Sequence, residues 1–234
     1  MDTNSNQARR VVIGITAHVD AGKTTLAEAM LYRTGRLRKL GRVDHGSAAM
    51  DSHLLERERG ITIFSSQAEL PIGNLEVTLL DTPGHVDFSA EMERTLSVLD
   101  YAILVISGVD GVQAHTRTLW RLLELYRIPT FLFVTKMDFG RCGRGQMMEH
   151  LRHELGEGCV DFTPADRERR MEQLATCRED ALEVYLDGGE VPDVLVRQLG
   201  GRRLVFPCWF GSGLKLEGID CTALSNNSHI WTVA

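Results

Sequence analysis

The stretch VVIGITAHVDAGKTTLAEAM, residues 11–30, decides the fold of this chain. Its first part, residues 11–17, is a mostly apolar run, which is typical of a buried strand. The pattern becomes helical over residues 23–35, with Leu26 and Met30 near one face. A strand, a tight loop containing Gly-Lys-Thr and a helix thus follow one another. This order predicts a loop that binds a nucleotide's phosphates.

The loop contains the residue types that bound phosphates require. Gly22 lets the backbone approach an anion closely, Lys23 supplies charge for the β- and γ-phosphates, and Thr24 supplies a hydroxyl ligand for Mg²⁺. Ala17 stands where the general pattern G-x-x-x-x-G-K-[ST] has its first glycine. The alternative is that Thr24 and Thr25 only cap a helix. The joint occurrence of strand, Gly-Lys-Thr and helix favours a nucleoside triphosphate site.

Strand and helix patterns alternate along most of the chain. Apolar runs predict six strands, at 11–17, 61–70, 75–81, 101–107, 130–136 and 203–209. Helical patterns lie near 86–98, 114–127 and 145–156. The expected fold is α/β, a P-loop NTPase with three α/β/α layers and a mainly parallel six-stranded sheet. The pair 61–70 and 75–81 is expected to be antiparallel, which places one antiparallel strand at the edge.

Two segments interrupt the alternation. Residues 36–60 are charged and punctuated by glycine, and they are predicted to form a mobile loop. Residues 164–200 are charged and helix-prone. We therefore expect a single nucleotide-binding domain over residues 1–234, with a helical insertion at about 157–202.

Three further stretches follow predicted strands, where one cleft can gather them. In DTPGH, residues 81–85, Asp81 can hold Mg²⁺ opposite Thr24, and the N–H of Gly84 can meet the γ-phosphate. Such a turn is common in proteins, so DTPGH alone is a weak signal. Its position at a strand end, in order after the phosphate loop, gives it weight.

The other two stretches point to the base. In TKMD, residues 135–138, the Asp138 carboxylate can accept hydrogen bonds from N1–H and the exocyclic amine of guanine, a pair that adenine does not offer. Lys136 would lie over the base. In FGSG, residues 210–213, backbone N–H groups can bind guanine O6. Solvated loops are the alternative for both, and the order of all the stretches favours GTP.

The arrangement AHVDAGKTT, RGITI, DTPGH, TKMD and GSG resembles the GTP-binding domain of translational GTPases, which include elongation factor G and elongation factor Tu. The greatest similarity is to the tetracycline ribosomal protection proteins, in AHVDAGKTTLAEAMLYRTG, DTPGHVDFSAEMERTLSVLD and ELYRIPTFLFVTKMD. The resemblance covers about residues 10–219. Relatives continue past GSGLKLEGID into further domains that reach the ribosome, and we expect these domains to be absent from residues 1–234. The resemblance implies a ribosome partner that is reached with the help of those domains.

The resemblance implies a role for each matching residue. Thr62 would join the Mg²⁺ shell only with GTP bound, and His85 would position the attacking water. Val19 and Ile61 match an apolar pair thought to restrain that histidine; the alternative is that both are simply core residues. The implied catalytic residues are His85, Lys23, Val19 and Ile61. The implied GTP-binding residues are Asp20, Ala21, Gly22, Lys23, Thr24, Thr25, Gly84, Thr135, Lys136, Asp138, Ser212 and Gly213. The implied Mg²⁺ ligands are Thr24, Thr62 and Asp81.

Two residues depart from the family pattern. Thr135 replaces an asparagine whose side chain ties the guanine-reading loop to the phosphate loop. One hydroxyl offers fewer hydrogen bonds than an amide, so we expect somewhat weaker nucleotide binding without a change of base. Gly213 stands where alanine is usual, and this change is expected to be harmless because the backbone contacts the base.

Composition limits the expected partners. The net charge of −6 argues against a general grip on nucleic acid, so we expect no sequence-specific DNA partner. No apolar run is as long as a membrane span, and MDTNSNQARR lacks the apolar core of a signal peptide. We expect no membrane partner and a cytoplasmic location. The five cysteines are scattered without a C-x-x-C pair, which favours free thiols.

A local basic cluster stands out in this acidic chain. It consists of Arg33, Arg36, Arg38, Lys39 and Arg42. These residues can meet ribosomal RNA near the switch, or they can be solvated charges that favour a helix C-terminus. The sequence leaves both interpretations open.

The expected function is that of a GTPase that acts slowly alone and whose relatives act on the ribosome. The alternative is a guanine-nucleotide-binding module without ribosome-coupled turnover. A third class, an ATP-using P-loop enzyme, is disfavoured by TKMD, residues 135–138.

Overall fold

The computed structural model describes most of the chain between Arg9 and Ile219. The described ranges are 9–37, 66–72, 75–82, 94–139, 142–163 and 167–219. The sequence predictions for 38–65 and 83–93 therefore lie outside the described residues. Of the predicted helix 86–98, the described residues 94–96 are helical.

One seven-stranded sheet forms the centre of the described fold. Its strands are β1 (Arg9–Ala17), β2 (Ser66–Ile72), β3 (Leu75–Asp81), β4 (Tyr101–Ser107), β5 (Thr130–Thr135), β6 (Cys159–Asp161) and β7 (Phe206–Phe210). Their order across the sheet is β2-β3-β1-β4-β5-β7-β6. Every neighbouring pair is parallel except β2 and β3. The mainly parallel sheet with an antiparallel edge strand is confirmed.

Six helices cover the two faces of the sheet within the described ranges. They are α1 (Lys23–Arg33), α2 (Ala114–Leu125), α3 (Arg144–Leu155), α4 (Arg167–Cys177), α5 (Glu179–Gly188) and α6 (Asp193–Gly201). One core cluster joins α1 to α4, α5 and α6, and a second joins α2 to α3. This arrangement confirms the three layers. No helix in the described part of the chain is long and apolar enough to cross a membrane.

Burial explains why the middle strands are apolar on both sides. Every residue of β4 and β5 is buried, because helices cover both faces of the sheet at its centre. Along β3 fully buried residues alternate with more exposed ones. The parallel register places Ile15 beside Asp81 and Ser107 beside Thr135. The carboxyl ends of these four strands therefore meet at one edge, where the motifs lie.

The prediction of six strands was wrong by one. The additional strand, β6, has three residues, which is too short to show a period of two. Strand β2 extends to Ile72 and so includes Pro71, which lies beyond the predicted strand at 61–70. Strand β7 begins at Phe206 rather than at 203, because residues 203–205 form the connection from α6 and Arg203 adopts a left-handed φ of 57°.

The cysteines in the described ranges carry free thiols. They are Cys142, Cys159, Cys177 and Cys208. Burial raises the pKa of Cys177 to about 11 and also raises the pKa of Cys208. Thiols with raised pKa values react slowly near neutral pH, so these two are packing residues.

Candidate guanine-nucleotide site

The phosphate loop turns sharply between β1 and α1. Asp20 and Gly22 have left-handed φ values of 61° and 90°, a conformation that glycine adopts without a steric penalty. The turn is closed by a hydrogen bond from the Ala21 N–H to the His18 carbonyl at 3.1 Å. Thr24 and Thr25, both half-buried, occupy the first turn of α1. The loop thus leads directly into a helix N-terminus, the backbone arrangement that favours an anion.

Lys23 is buried against the end of β3. The Lys23 side chain is 8% exposed, and its Nζ lies 2.5 Å from Asp81 Oδ1, whose own side chain is fully buried. The same ammonium donates to the carbonyl of Thr82. Thr82 is held in turn by its hydroxyl, which donates to the Ile15 carbonyl at 2.8 Å. A cation and a carboxylate thus lie together at the carboxyl ends of the neighbouring strands β1 and β3.

Two side chains of the TKMD stretch bond to the phosphate loop. Thr135 Oγ1 donates to the Ala21 carbonyl at 2.5 Å, with the Ile106 carbonyl at 3.2 Å. Lys136, with a left-handed φ of 56°, donates from Nζ to the Asp20 carbonyl at 2.5 Å. The hydroxyl that replaces the usual amide thus still ties the two loops together.

Asp138 lies at the other end of the same cleft. A narrow slot of about 50 Å³ is lined by Gly22, Thr25, Thr135, Lys136, Asp138, Phe139, Ser212, Gly213 and Leu214. The Asp138 side chain is 4% exposed, and its Oδ1 is buried without a hydrogen-bond partner among the described residues. Buried polar atoms are normally satisfied. This oxygen therefore has an acceptor position for a ligand donor.

Sequence reasoning missed two residues that line this slot and one beside it. Phe139 and Leu214 line it and are 64% and 43% exposed. Lys215 lies just beyond, with Nζ 3.4 Å from Asp138 Oδ2. The available signal was the position of Phe139 and Leu214, each next to a base-reading stretch. Apolar side chains exposed at such places suit a flat base.

The GSG turn is closed by its own hydrogen bonds and is held to α1. The N–H of Ser212 donates to the Glu217 carbonyl at 2.9 Å, and the N–H of Glu217 donates back to Ser212 at 3.1 Å. Arg33, from the predicted basic cluster, donates from Nη2 to the Leu216 carbonyl at 2.8 Å. Arg33 thus acts within the fold, at the C-terminal end of the helix that follows the phosphate loop.

Gly213 packs directly on the phosphate-loop helix, so we expect Gly213→Ala to lower the melting temperature. A Cβ there would lie 2.9 Å from Thr25 Cγ2 and 3.3 Å from the Thr25 backbone. Thr25 is β-branched and yields little, and overpacking typically costs about 1–3 kcal/mol. Thermal unfolding measures the effect. The control is Gly145→Ala on α3, where a Cβ would meet nothing within 4 Å. Equal melting temperatures for Gly213→Ala and the unchanged protein would contradict this packing.

The structure brings most of the predicted site residues to one edge of the sheet. Residues 20–25, 135–138, 212 and 213 join through the contacts above, and Asp81 joins through Lys23. Val19 is half-buried beside the loop. The predicted roles of Ile61, Thr62, Gly84 and His85 fall on residues outside the described ranges.

The doubly covered parallel sheet, with a Gly-Lys-Thr loop between its β1 and α1, defines a P-loop nucleotide-binding domain. The chain belongs to the elongation factor Tu GTP binding domain family, whose model matches residues 8–229. As a member of that family it is a guanine-nucleotide-binding domain.

The comparisons with individual proteins agree with the family. The chain is 42% identical to the oxytetracycline resistance protein of Streptomyces rimosus, over 89% of this chain and 35% of that protein. It is also 42% identical to the tetracycline resistance protein TetP of Clostridium perfringens, over 81% of this chain and 30% of that protein. A crystal structure of a Thermus thermophilus protein matches with a TM-score of 0.82 and 27% identity, over 97% of this chain and 41% of the other. The chain spans about a third of the length of these two resistance proteins.

Proposed function

We propose that this chain binds and hydrolyses GTP as the GTPase domain of a cytoplasmic, ribosome-associated translation factor of the tetracycline ribosomal protection or elongation factor G type. The observation that carries the proposal is the direct junction between the base-reading stretch and the phosphate loop. Thr135 and Lys136 bond to the carbonyls of Ala21 and Asp20. A ligand that extends from the phosphate loop to Asp138 suits a guanosine di- or triphosphate, because the Asp138 carboxylate can accept from the donor pair of guanine.

Each end of the cleft has a proposed task. Lys23 and the amides of residues 20–25 hold the phosphates, while Asp138 accepts hydrogen bonds from the base and Lys136 covers it. Gly213 offers its backbone N–H to guanine O6. The Ser212 N–H predicted for the same task already donates to the Glu217 carbonyl, so Ser212 contributes by closing the turn that presents Gly213. Thr24 and Asp81 present oxygen donors, the kind that Mg²⁺ prefers, and the buried Asp81 lies beside the phosphate loop. When bound, Mg²⁺ neutralises charge on the β- and γ-phosphate oxygens.

Hydrolysis forms a bond from a water oxygen to the γ-phosphorus and breaks the bond to the β–γ bridging oxygen. Lys23 offsets the charge that develops on the phosphate oxygens. His85 would position the water, Gly84 would sense the γ-phosphate, Thr62 would be a Mg²⁺ ligand, and Val19 and Ile61 would restrain His85 until a ribosome docks. These last roles rest on family resemblance.

The test is GTP hydrolysis by the purified chain with and without ribosomes. We expect slow turnover alone and faster turnover with ribosomes, because the ribosome is proposed to order His85. Turnover alone at about 10 per second or more, within the range of efficient phosphoryl-transfer enzymes, would contradict the activation model. Equal rates in both conditions would favour the alternative, a guanine-nucleotide-binding module without ribosome-coupled turnover.

The control for base identity is competition by ATP. A labelled GDP should be displaced by unlabelled GDP and GTP but not by ATP, since adenine lacks the donor pair that Asp138 accepts. Displacement by ATP at the same concentration as GTP would overturn the guanine assignment, including the expectation that Thr135 leaves the base unchanged.

A further inference from the structure

The carboxylate proposed to read the base is itself held by an ion pair. Lys215 Nζ lies 3.4 Å from Asp138 Oδ2, and the two side chains are 55% and 4% exposed. We propose that Lys215 is a positioning residue, which fixes the plane of the Asp138 carboxylate and so sets the selectivity for the guanine 2-amino group. This inference rests on the proposed function, because it requires a guanine base in the slot beside Asp138.

Lys215 can hold the Asp138 carboxylate in place because the backbone of Lys215 is itself held by hydrogen bonds. The N–H of Lys215 lies 3.3 Å from Ser212 Oγ, to which it donates. The flanking residues Ser212 and Glu217 exchange two backbone hydrogen bonds. Arg33 holds the carbonyl of Leu216. The turn therefore presents Lys215 from one position, and only its side chain is free to rotate.

The two oxygens of Asp138 have different surroundings. Oδ2 faces Lys215, whereas Oδ1 is buried without a hydrogen-bond partner among the described residues. A carboxylate oxygen has more than one acceptor position, so Oδ2 can accept from a ligand while it contacts Lys215. Together the two oxygens match two parallel donors on one edge of a base.

Lys215 affects the selectivity between bases because guanine presents two hydrogen-bond donors to Asp138 and the base of inosine presents one. The terminal torsion of an aspartate is broad, so a carboxylate without a fixed partner samples many planes. A single donor, as in the N1–H of inosine, can be met in several of these planes. Guanine adds the 2-amino group as a second donor. The carboxylate can accept from both donors at once in only one of these planes. Removing Lys215 should therefore weaken the binding of GDP more than the binding of inosine diphosphate.

The experiment compares the dissociation constants of GDP and inosine diphosphate for the whole chain, measured by competition against a fluorescent guanine nucleotide. For Lys215→Met we expect the preference for GDP over inosine diphosphate to fall about threefold, within the range that a half-exposed ion pair supports. Lys215→Arg should keep most of the preference, because it keeps the charge. Arg202→Met, which removes an exposed arginine at the opposite end of β7, should leave the preference unchanged.

Two further measurements separate positioning from a general loss of charge or of folding. In the Asp138→Asn background, Lys215→Met should no longer change the ratio, since its effect passes through the carboxylate. In the unchanged protein, raising the salt concentration should reduce the ratio more than in Lys215→Met, because salt screens half-exposed ion pairs. If Lys215→Met is unstable, the unchanged protein serves alone, and its preference for GDP over inosine diphosphate should fall as the salt concentration rises.

The outcomes distinguish this inference from the proposed function. Binding of GDP with an unchanged or increased ratio in Lys215→Met overturns the role of Lys215 alone. An equal loss for both nucleotides means that Lys215 only adds charge or stability, and it also overturns the inference. The inference is also overturned if salt does not change the ratio of the two dissociation constants in the unchanged protein. Failure of the unchanged protein to bind GDP overturns the proposed function and this inference with it.

Discussion

Lys23→Met is expected to weaken GDP binding by at least about 100-fold, because it removes a charge-assisted contact to the phosphates in a buried place. The Lys23 side chain is 8% exposed and lies at the end of β3, where little water can replace its charge. Isothermal titration with GDP and Mg²⁺ measures the loss. Binding within about tenfold of the unchanged protein, which corresponds to about 1.4 kcal/mol, would show that this loop does not hold the phosphates.

The same substitution has a second consequence, which must be separated from the first. Lys23 Nζ lies 2.5 Å from the buried Asp81 Oδ1, and removing one member of a buried ion pair typically costs about 3–5 kcal/mol of stability. The double variant Lys23→Met/Asp81→Asn removes the buried charge as well. It should regain much of the lost stability in denaturant unfolding, yet it should still fail to bind GDP. Recovery of both properties would mean that Lys23 acts on folding alone.

The order of the motifs predicted the fold and most of the site because each motif follows a strand. In parallel strands the carboxyl ends meet at one edge, so Lys23, Asp81 and Thr135 had to lie near one another once the strands were recognised. The three-residue strand Cys159–Asp161 carried no such signal. Its pairing with β7 depends on tertiary packing that a short window of sequence does not contain.

The ion pair between Lys215 and Asp138 could not be predicted for a related reason. It requires β5 and β7 to be neighbours, although β6 and several helices lie between them in sequence. It also requires the turn that Ser212 and Glu217 close. Residue type alone indicates only a solvated lysine.

For Thr135, the residue type predicts the direction of the effect on nucleotide affinity but not the geometry of the hydrogen bond. The sequence predicted a weaker tether than asparagine provides. The structure adds that the hydroxyl contacts the Ala21 carbonyl at 2.5 Å and that Thr135 is itself 2% exposed, within β5. A short, buried hydrogen bond is stronger than the same bond in water. The effect of Thr135 on affinity stays a prediction, and this contact is the reason to expect it to be modest.

Asp138→Asn is expected to change which base the slot accepts. Asparagine keeps one acceptor oxygen and replaces the other with an amide donor, so it can no longer accept from both N1–H and the 2-amino group of guanine. Hydrogen bonds to charged groups contribute about 1.5–3 kcal/mol each, and we expect GDP affinity to fall by about 100-fold. Xanthine carries a carbonyl where guanine has its 2-amino group. Xanthosine diphosphate should therefore bind this variant more tightly than GDP does.

A reversed preference between GDP and xanthosine diphosphate, rather than a loss of affinity, identifies the contact between Asp138 and the base. Asp138 Oδ1 is buried without a partner among the described residues, so any change at this position alters the local folding energy as well as the binding. Asp138→Ala serves as the control because it removes the acceptor and supplies no donor. It should weaken both nucleotides without reversing their order. A reversal in Asp138→Asn but not in Asp138→Ala requires direct contact between this side chain and the 2-position of the base. If Asp138→Asn keeps the preference for GDP over xanthosine diphosphate, the base must lie elsewhere.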